Sequence, residues 1–344
     1  MITRRACYLG LIALALTGCW EKKDGSISCG KRPPRNYRPE AGPQTWLDPD
    51  ATPRAPALPA PAALVPGAEP RRAVRYAAVD GARRRYRLAF SHAVTAGSGA
   101  QQTETSFVGE LVLAGRVAVA GAQARSVAEV VETTIREAKA EPLSRDRVAE
   151  AWAKLRGAAL AFAVDERGTV TGADDVIEPP ALTGAPPSGS FAEILRELAL
   201  IAQLGQVRWP AEPIGVGARW EVDRRVRRPV GGDGGELVTR YRVRWELVAL
   251  AADRATVRFT IDEDLPRDEH GGRPRYPSAD PAVRMEADAH QGHAEGELQI
   301  DLREPLATGL TVTRTARTSL LTSAAGAETI ELGERTTLTL SSPP

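Results

Sequence analysis

A chain of 344 residues, 42% of them hydrophobic and 26% charged, is long enough to bury a core of its own without cross-links. Its 45 lysines and arginines nearly match its 44 aspartates and glutamates, and the formal charge of +1 builds no overall field. That balance argues against nucleic acid or an acidic surface as the governing partner.

The chain opens with Arg4 and Arg5, then runs from Ala6 to Leu16 without a charge. A positive segment before a short apolar one has the form of a secretory signal, and this one is too short to span a bilayer as a stable helix. Leu16-Thr17-Gly18-Cys19 resembles the lipobox of bacterial lipoproteins. The resemblance implies cleavage after residue 18, a diacylglycerol on the Cys19 thiol, and a bilayer as partner through that acylated cysteine. Trp20, in the place where an aspartate signals retention at the inner membrane, points to the outer membrane. Of the three cysteines, Cys7 would leave with the signal and Cys19 would be acylated, so Cys29 stands alone and no disulfide is expected in the mature chain.

Residues 19–72 form the expected anchor and tether. Stretches such as "PRAPALPAPAALVPGAEP" (53–70) favour extended polyproline II and lie outside any core, as a disordered spacer. At about 3.1 Å per residue, the spacer reaches roughly 150 Å from the anchor.

From residue 73 to 344 the pattern changes to a β-rich domain. Tyr86, Leu88, Phe90 and Val94 alternate with Arg87, Ala89 and Ser91, and Phe107, Leu111 and Leu113, then Leu160, Phe162 and Val164, carry the same period of two. "VDERGTV" (164–170) reads as a hairpin turn closed by Gly168. Leu237, Tyr241, Val243, Trp245 and Leu247 make an apolar row with Arg240, Arg242, Arg244 and Glu246 facing away; after a turn at 252–254 come Val257, Phe259 and Ile261. Further strands are expected over 217–228, 283–289, 294–303, 308–321 and 327–341. Antiparallel sheet with one polar face accounts for all of these.

Two helices interrupt the strands. Ser144 caps the first, 144–156, with Leu143 against Val148 as a staple and Val148, Ala151, Trp152 and Leu155 on one face. Ser190 and Glu193 form a capping box for the second, 190–205, where Phe191, Ile194, Leu195, Leu198 and Ile201 make a wide apolar stripe. Such a stripe must be buried, and the expected place is across the concave face of the sheet. "GARRRYRLAF" (81–90) and "GARWEVDRRV" (217–226) both launch a strand from Gly-Ala-Arg, which leaves a two-half organisation open.

Pro210, Pro213, Val216, Gly217 and Trp220, in "WPAEPIGVGARWEV" (209–222), resemble a segment of a family of secreted β-rich bacterial proteins of unknown function. That resemblance implies a fold related to half-barrel lipoprotein carriers and no activity. Gly217 permits a tight turn into the strand, and Trp220 either seals the end of a barrel or stacks on a ligand.

Sites of chemistry are few. His290 and His293, among Glu286, Asp288, Glu295 and Glu297, are the candidate metal ligands, but residues three apart on a strand point to opposite faces unless Gly292 makes a bulge. Asp262-Glu263-Asp264, with Asp268, Glu269 and His270, offers oxygen ligands without the spacing of a calcium loop, and reads as an acidic surface turn. There is no Gly-x-Ser-x-Gly, no His-Glu-x-x-His and no phosphate-binding loop, so no enzyme is expected and no cofactor. Arginine clusters at 71–75, 83–87 and 224–228 could touch anionic lipid head groups, but lack the interleaved aromatics of a nucleic-acid site.

The sequence thus predicts a mainly β protein, an antiparallel barrel-like or half-barrel sheet with one or two packed helices, on an acylated tether. Its expected function is non-catalytic binding of a lipid or other apolar ligand, lined by Phe191, Ile194, Leu195, Leu198 and Trp220. The alternative is a structural or assembly lipoprotein with a packed core that binds another envelope component.

Overall fold

The computed structural model describes residues 19–21, 27–29, 61–98, 101–140, 144–169, 176–177, 182–183, 198, 200, 207–230, 235–265, 275–276, 285–322 and 329–342. The alternation of apolar and polar residues produces long strands: β1 (Cys19–Glu21), β2 (Ile27–Cys29), β3 (Ala63–Val65), β4 (Arg83–Ser98), β5 (Gln101–Ala120) and β6 (Gln123–Lys139). The helix α1 (Arg145–Ala153) follows, then β7 (Ala159–Asp165), β8 (Val176–Ile177), β9 (Leu182–Thr183), β10 (Arg219–Val230), β11 (Gly235–Leu250) and β12 (Arg254–Asp264). The last four are β13 (Arg275–Tyr276), β14 (Met285–Asp301), β15 (Gly309–Thr322) and β16 (Thr329–Ser341). β1 and β2 pair only with each other, Cys19 opposite Cys29.

All other strands join one sheet in the order β3-β10-β11-β12-β14-β15-β16-β4-β5-β6-β7-β9, with β13 on β14 and β8 on β10. Every pairing is antiparallel except that of β8 with β10. The sheet is open: among the described residues its two ends do not pair with each other. They nevertheless face one another. Ile177 pairs on β10 near one end and Leu182 on β7 near the other, and five residues of chain span at most about 18 Å. A sheet this long can bring its ends so close only by curling strongly, which makes it the expected half-barrel rather than a closed barrel.

The inner face of the curl holds one continuous core built from alternate residues of nearly every strand, including Leu88 and Phe90 of β4, Leu111 of β5, Val257 and Phe259 of β12, and Leu338 of β16. Where a ring crosses onto a neighbouring strand, that strand has no side chain: Phe90 lies against Gly109, Tyr86 against Gly115 and Phe259 against Gly296, and a Cβ at any of the three would come within 2.9 Å of the ring. Aromatic cover of a strand glycine is a known means of fixing register.

Both Gly-Ala-Arg segments start their strands the same way. Gly81 and Gly217 have φ of +74° and +82°, a backbone region that suits glycine. Gly81 N–H donates to Val117 O and Val117 N–H to Ala82 O; likewise Gly217 N–H donates to Leu247 O and Leu247 N–H to Ala218 O.

The first helix forms where expected but is shorter, Arg145–Ala153, with turn from 154 to 157; the Leu143 of the expected staple and the Ala151 side chain lie outside the described residues. Ser144 Oγ accepts from Arg147 N–H at 3.4 Å, and Val148, Trp152 and Leu155 are buried, with the Trp152 and Phe90 ring centres 5.0 Å apart. The turn read at 164–170 is present through Thr169: Asp165 Oδ1 accepts from Arg167 and Thr169 N–H, and Gly168 N–H donates to Asp165 O; Val170 lies outside the described residues. Of the second helix only Leu198 and Leu200 are described; both are helical and buried in the main core.

Three expectations are corrected. Within the stretch placed in the tether, Ala63–Val65 is a strand of the sheet, paired with β10, and Arg72 makes an isolated bridge to Ile214. In place of the two strands expected at 283–289 and 294–303 there is the single strand β14, which passes through His290-Gln291-Gly292-His293 in unbroken register with β15 and pairs with β12 from Gln291 onward. Gln123–Lys139, for which no strand was expected, pairs with β5 throughout. Its two bulges, at residues 131 and 136, flip which parity faces the core, so even positions are buried through Val130, Ile135 takes the inner face next, and Ala140 resumes the even phase. No single period of two survives those flips.

Candidate functional site

Register across the sheet sorts the inner face into transverse rows of different polarity. One row runs Trp220, Trp245, Phe259, Gly296, Val312, Leu338, Phe90 across seven strands, and is wholly apolar. The next runs Val222, Val243, Ile261, Ala294, Arg314, Thr336, His92, and turns polar halfway. The third runs Arg224, Tyr241, Glu263, Gly292, Ala316, Glu334, and carries the buried charges of Arg224 and Glu263. Beyond it lies a small second apolar cluster, Ala96, Ala287, Leu320, Ile330 and Leu332. A polar belt therefore crosses the inner face between two apolar zones.

The belt is a connected network. Arg314 Nε and Nη2 donate to both oxygens of Glu263 at 2.6 and 2.8 Å, and its Nη1 donates to Glu334 Oε2 at 2.7 Å. Burial pulls the Arg314 pKa down, but the negative charges of Glu263 and Glu334 and the hydrogen bonds that Arg314 donates to Glu263 outweigh it, leaving the pKa well above its ordinary value. Glu263 Oε2 also lies 3.2 Å from His290 Nε2, and His290 Nδ1 lies 2.9 Å from Thr318 Oγ1. A carboxylate can only accept, so Nε2 carries a proton, and a neutral ring then takes the Thr318 hydroxyl hydrogen at Nδ1. His92 and Thr336 repeat the pairing at 2.9 Å.

Hydroxyl, imidazole and carboxylate in a line is the order that nucleophilic catalysis uses. Here Arg314 holds the carboxylate bidentately and Thr318 is buried, so the arrangement is a satisfied internal network, not a nucleophile presented to substrate.

At the β10 end the inner face is aromatic. Trp209, on the segment before β10, lies 5.8 Å from Trp220, which stacks at 6.0 Å on Trp245; Tyr76 continues the line 6.2 Å from Trp209. The Arg224 guanidinium sits 5.6 Å from the Trp245 ring centre. Burial, and then the positive charge of Arg208, lower the Arg224 pKa to about 9. The indole Nε1 atoms of Trp209, Trp220 and Trp245 are buried and have no hydrogen-bond acceptor among the described residues.

Of the residues expected to line a ligand, Trp220 is at the centre of this aromatic line and Leu198 is buried in the same core; Phe191, Ile194 and Leu195 lie outside the described residues. Cys19 opens β1. His290 and His293 are not brought together. Because β14 has no bulge at Gly292, His290 faces inward in the belt, while His293 faces outward and pairs with Asp262 at 2.9 Å. No group of three or more metal-binding side chains occurs among the described residues.

The acidic turn is corrected in part: Asp262-Glu263-Asp264 is strand, with Glu263 inward and its neighbours outward against arginines, while Asp268, Glu269 and His270 lie outside the described residues. Arg314, Thr318 and Glu334 were missed as site residues, and Glu263 was read as part of a surface turn. The signal was parity, since Glu263 continues the buried series 257, 259, 261 and Arg314 falls between Val312 and Ala316.

The outer face is charged and self-neutralising. Arg242 pairs with Asp223, Arg244 with Glu221 and Asp262, Arg219 with Glu246, and Arg85 with Glu132. Arg84, in an expected basic cluster, donates to Glu304, and Arg224 is inside. Among the described residues no helix is long and apolar enough to cross a membrane. Scanned against protein-family models the chain matches none, and a search of curated proteins also finds no match.

Proposed function

We propose that the chain is a bacterial envelope lipoprotein, anchored through acylated Cys19, whose curled sheet holds a lipid or other apolar ligand against its inner face without catalysing a reaction. The observation that carries this reading is the apolar row from Trp220 to Phe90, continuous over seven strands of an open sheet, with Leu198 and Leu200 in the same core. An open curl gives an acyl chain a lateral way in that a closed barrel denies. The run from Arg4 to Cys19 supports the anchor, and Trp20 supports the outer membrane.

The test is organic extraction of the purified protein followed by mass spectrometry, beside labelling with palmitate. Wild type is expected to incorporate label and release about one equivalent of non-covalent lipid, and Cys19→Ala to lose the label alone. Incorporation of label by Cys19→Ala overturns the anchor. Absence of extractable lipid overturns the carrier reading and favours the second one, a structural lipoprotein that contacts another envelope component. The close mutual packing of Trp209, Trp220 and Trp245 supports that second reading.

A further inference from the structure

Trp209, Trp220 and Trp245 are each less than 3% exposed, and each holds a buried indole N–H with no acceptor among the described residues. An indole nitrogen can only donate. Leaving such a donor buried and unpaired costs about 1–3 kcal/mol, and most such groups in folded proteins have a partner. Here three occur together, on rings spaced 5.8 and 6.0 Å apart. Phenylalanine would fill comparable apolar space at each position without the unpaired group, as Phe90 and Phe259 do elsewhere in the same row.

The surroundings share this bias. Arg224 lies over Trp245 at 5.6 Å, and a guanidinium likewise only donates. The region is thus rich in donors at one end of an apolar row. A ligand that matches it has an apolar body and a head that accepts hydrogen bonds.

We propose that the Nε1–H groups of Trp209, Trp220 and Trp245 form a head-group site for an acyl ligand bearing an oxygen acceptor, a carboxylate or an ester carbonyl, with the acyl chain along the row toward Phe259 and Phe90. This rests on the apolar-ligand reading above and narrows it to a ligand class. Amines and other donor heads are disfavoured, because they bring a donor to donors.

The test uses the full chain carrying Cys19→Ala and the hydrocarbon fluorophore diphenylhexatriene as reporter. Diphenylhexatriene is expected to bind, and palmitate to displace it about tenfold more tightly than hexadecylamine, the worth of one well-made hydrogen bond. Methyl palmitate distinguishes the two heads: displacement equal to palmitate assigns an ester carbonyl, and weaker displacement a carboxylate. In Trp220→Phe and Trp245→Phe the ratio of palmitate affinity to diphenylhexatriene affinity, measured on the same variant, is expected to fall about tenfold. Should either strand variant fail to fold, Trp209→Phe, outside the strands, gives the same readout.

Equal displacement by palmitate and hexadecylamine, or an unchanged ratio in the Phe variants, overturns the head-group site while leaving the carrier reading intact. If diphenylhexatriene and palmitate both fail to bind the Cys19→Ala chain, both proposals fall.

Discussion

The Glu263 carboxylate lies directly over Gly292 on the neighbouring strand, so close that a Cβ at 292 would stand 2.6 Å from Glu263 Cδ. The missing side chain lets Glu263 reach across β14 to Arg314 on β15, two strands away. Gly292→Ala is therefore expected to push the carboxylate off its partners and lower stability by about 1–3 kcal/mol, the usual cost of overpacking a filled core. Urea unfolding measures this; an unchanged midpoint would show that Glu263 can reach Arg314 by another route.

Arg314 and Glu263 form a buried, bidentate pair, and such pairs are costly to break from one side. Arg314→Met should cost about 3–5 kcal/mol because Glu263 then keeps a buried charge without its cation and Glu334 loses its partner. Adding Glu263→Gln should recover part of that loss. In a double-mutant cycle the two changes are expected to be far from additive. Additivity would mean that the pair makes no specific contribution.

The fold could be read from the sequence wherever alternation continued unbroken, as from Tyr86 to Phe90 or Val257 to Ile261, because a strand with one buried face imposes a strict period of two. It could not be read at Gln123–Lys139, where two bulges reverse the parity. Nor could it be read at Ala63–Val65, where a proline-rich composition looks like spacer but Ala63 and Val65 pair with β10. The polar belt was hidden for a related reason. Glu263 and Arg314 look like surface charges in composition; only strand parity together with cross-strand register shows that they face inward and meet. His290 and His293 looked like a pair, whereas the same parity separates them.

Asp301 offers a check by pH. Its carboxyl is held below the ordinary 3.8 chiefly by hydrogen bonds from the Arg303 side chain, at 2.8 and 2.7 Å, which outweigh the upward push of burial; the Arg303 backbone N–H and the charges of Arg303 and Arg84 add to the lowering. With the folded value below the unfolded one, the folded state binds fewer protons in that window. Asp301 therefore contributes stability fully above about pH 4, and the contribution is lost as pH falls through the folded value. Carboxyl ¹³C titration should give a midpoint below 3.8 for wild type, moving up toward it in Arg303→Gln, which should also lose less stability on acidification. A wild-type midpoint at or above 3.8 contradicts the geometry.

Arg244 has as many carboxylate partners as Arg314, with Asp262 at 2.7 Å and Glu221 at 3.6 Å, but it lies on the outer face with nearly half of its side chain exposed. Water screens these charges whether or not the pair forms, and the long side chain loses freedom in making it. Arg244→Gln should consequently change stability by no more than about 0.5 kcal/mol, against several for Arg314→Met, and the small effect should shrink further in about 0.5 M salt while that of Arg314→Met persists. Urea midpoints of the two variants at low and high salt decide the matter. Equal losses would mean that the outer lattice of arginines and carboxylates acts as a cooperative network, and that the two faces of the sheet differ less in their electrostatics than their burial implies.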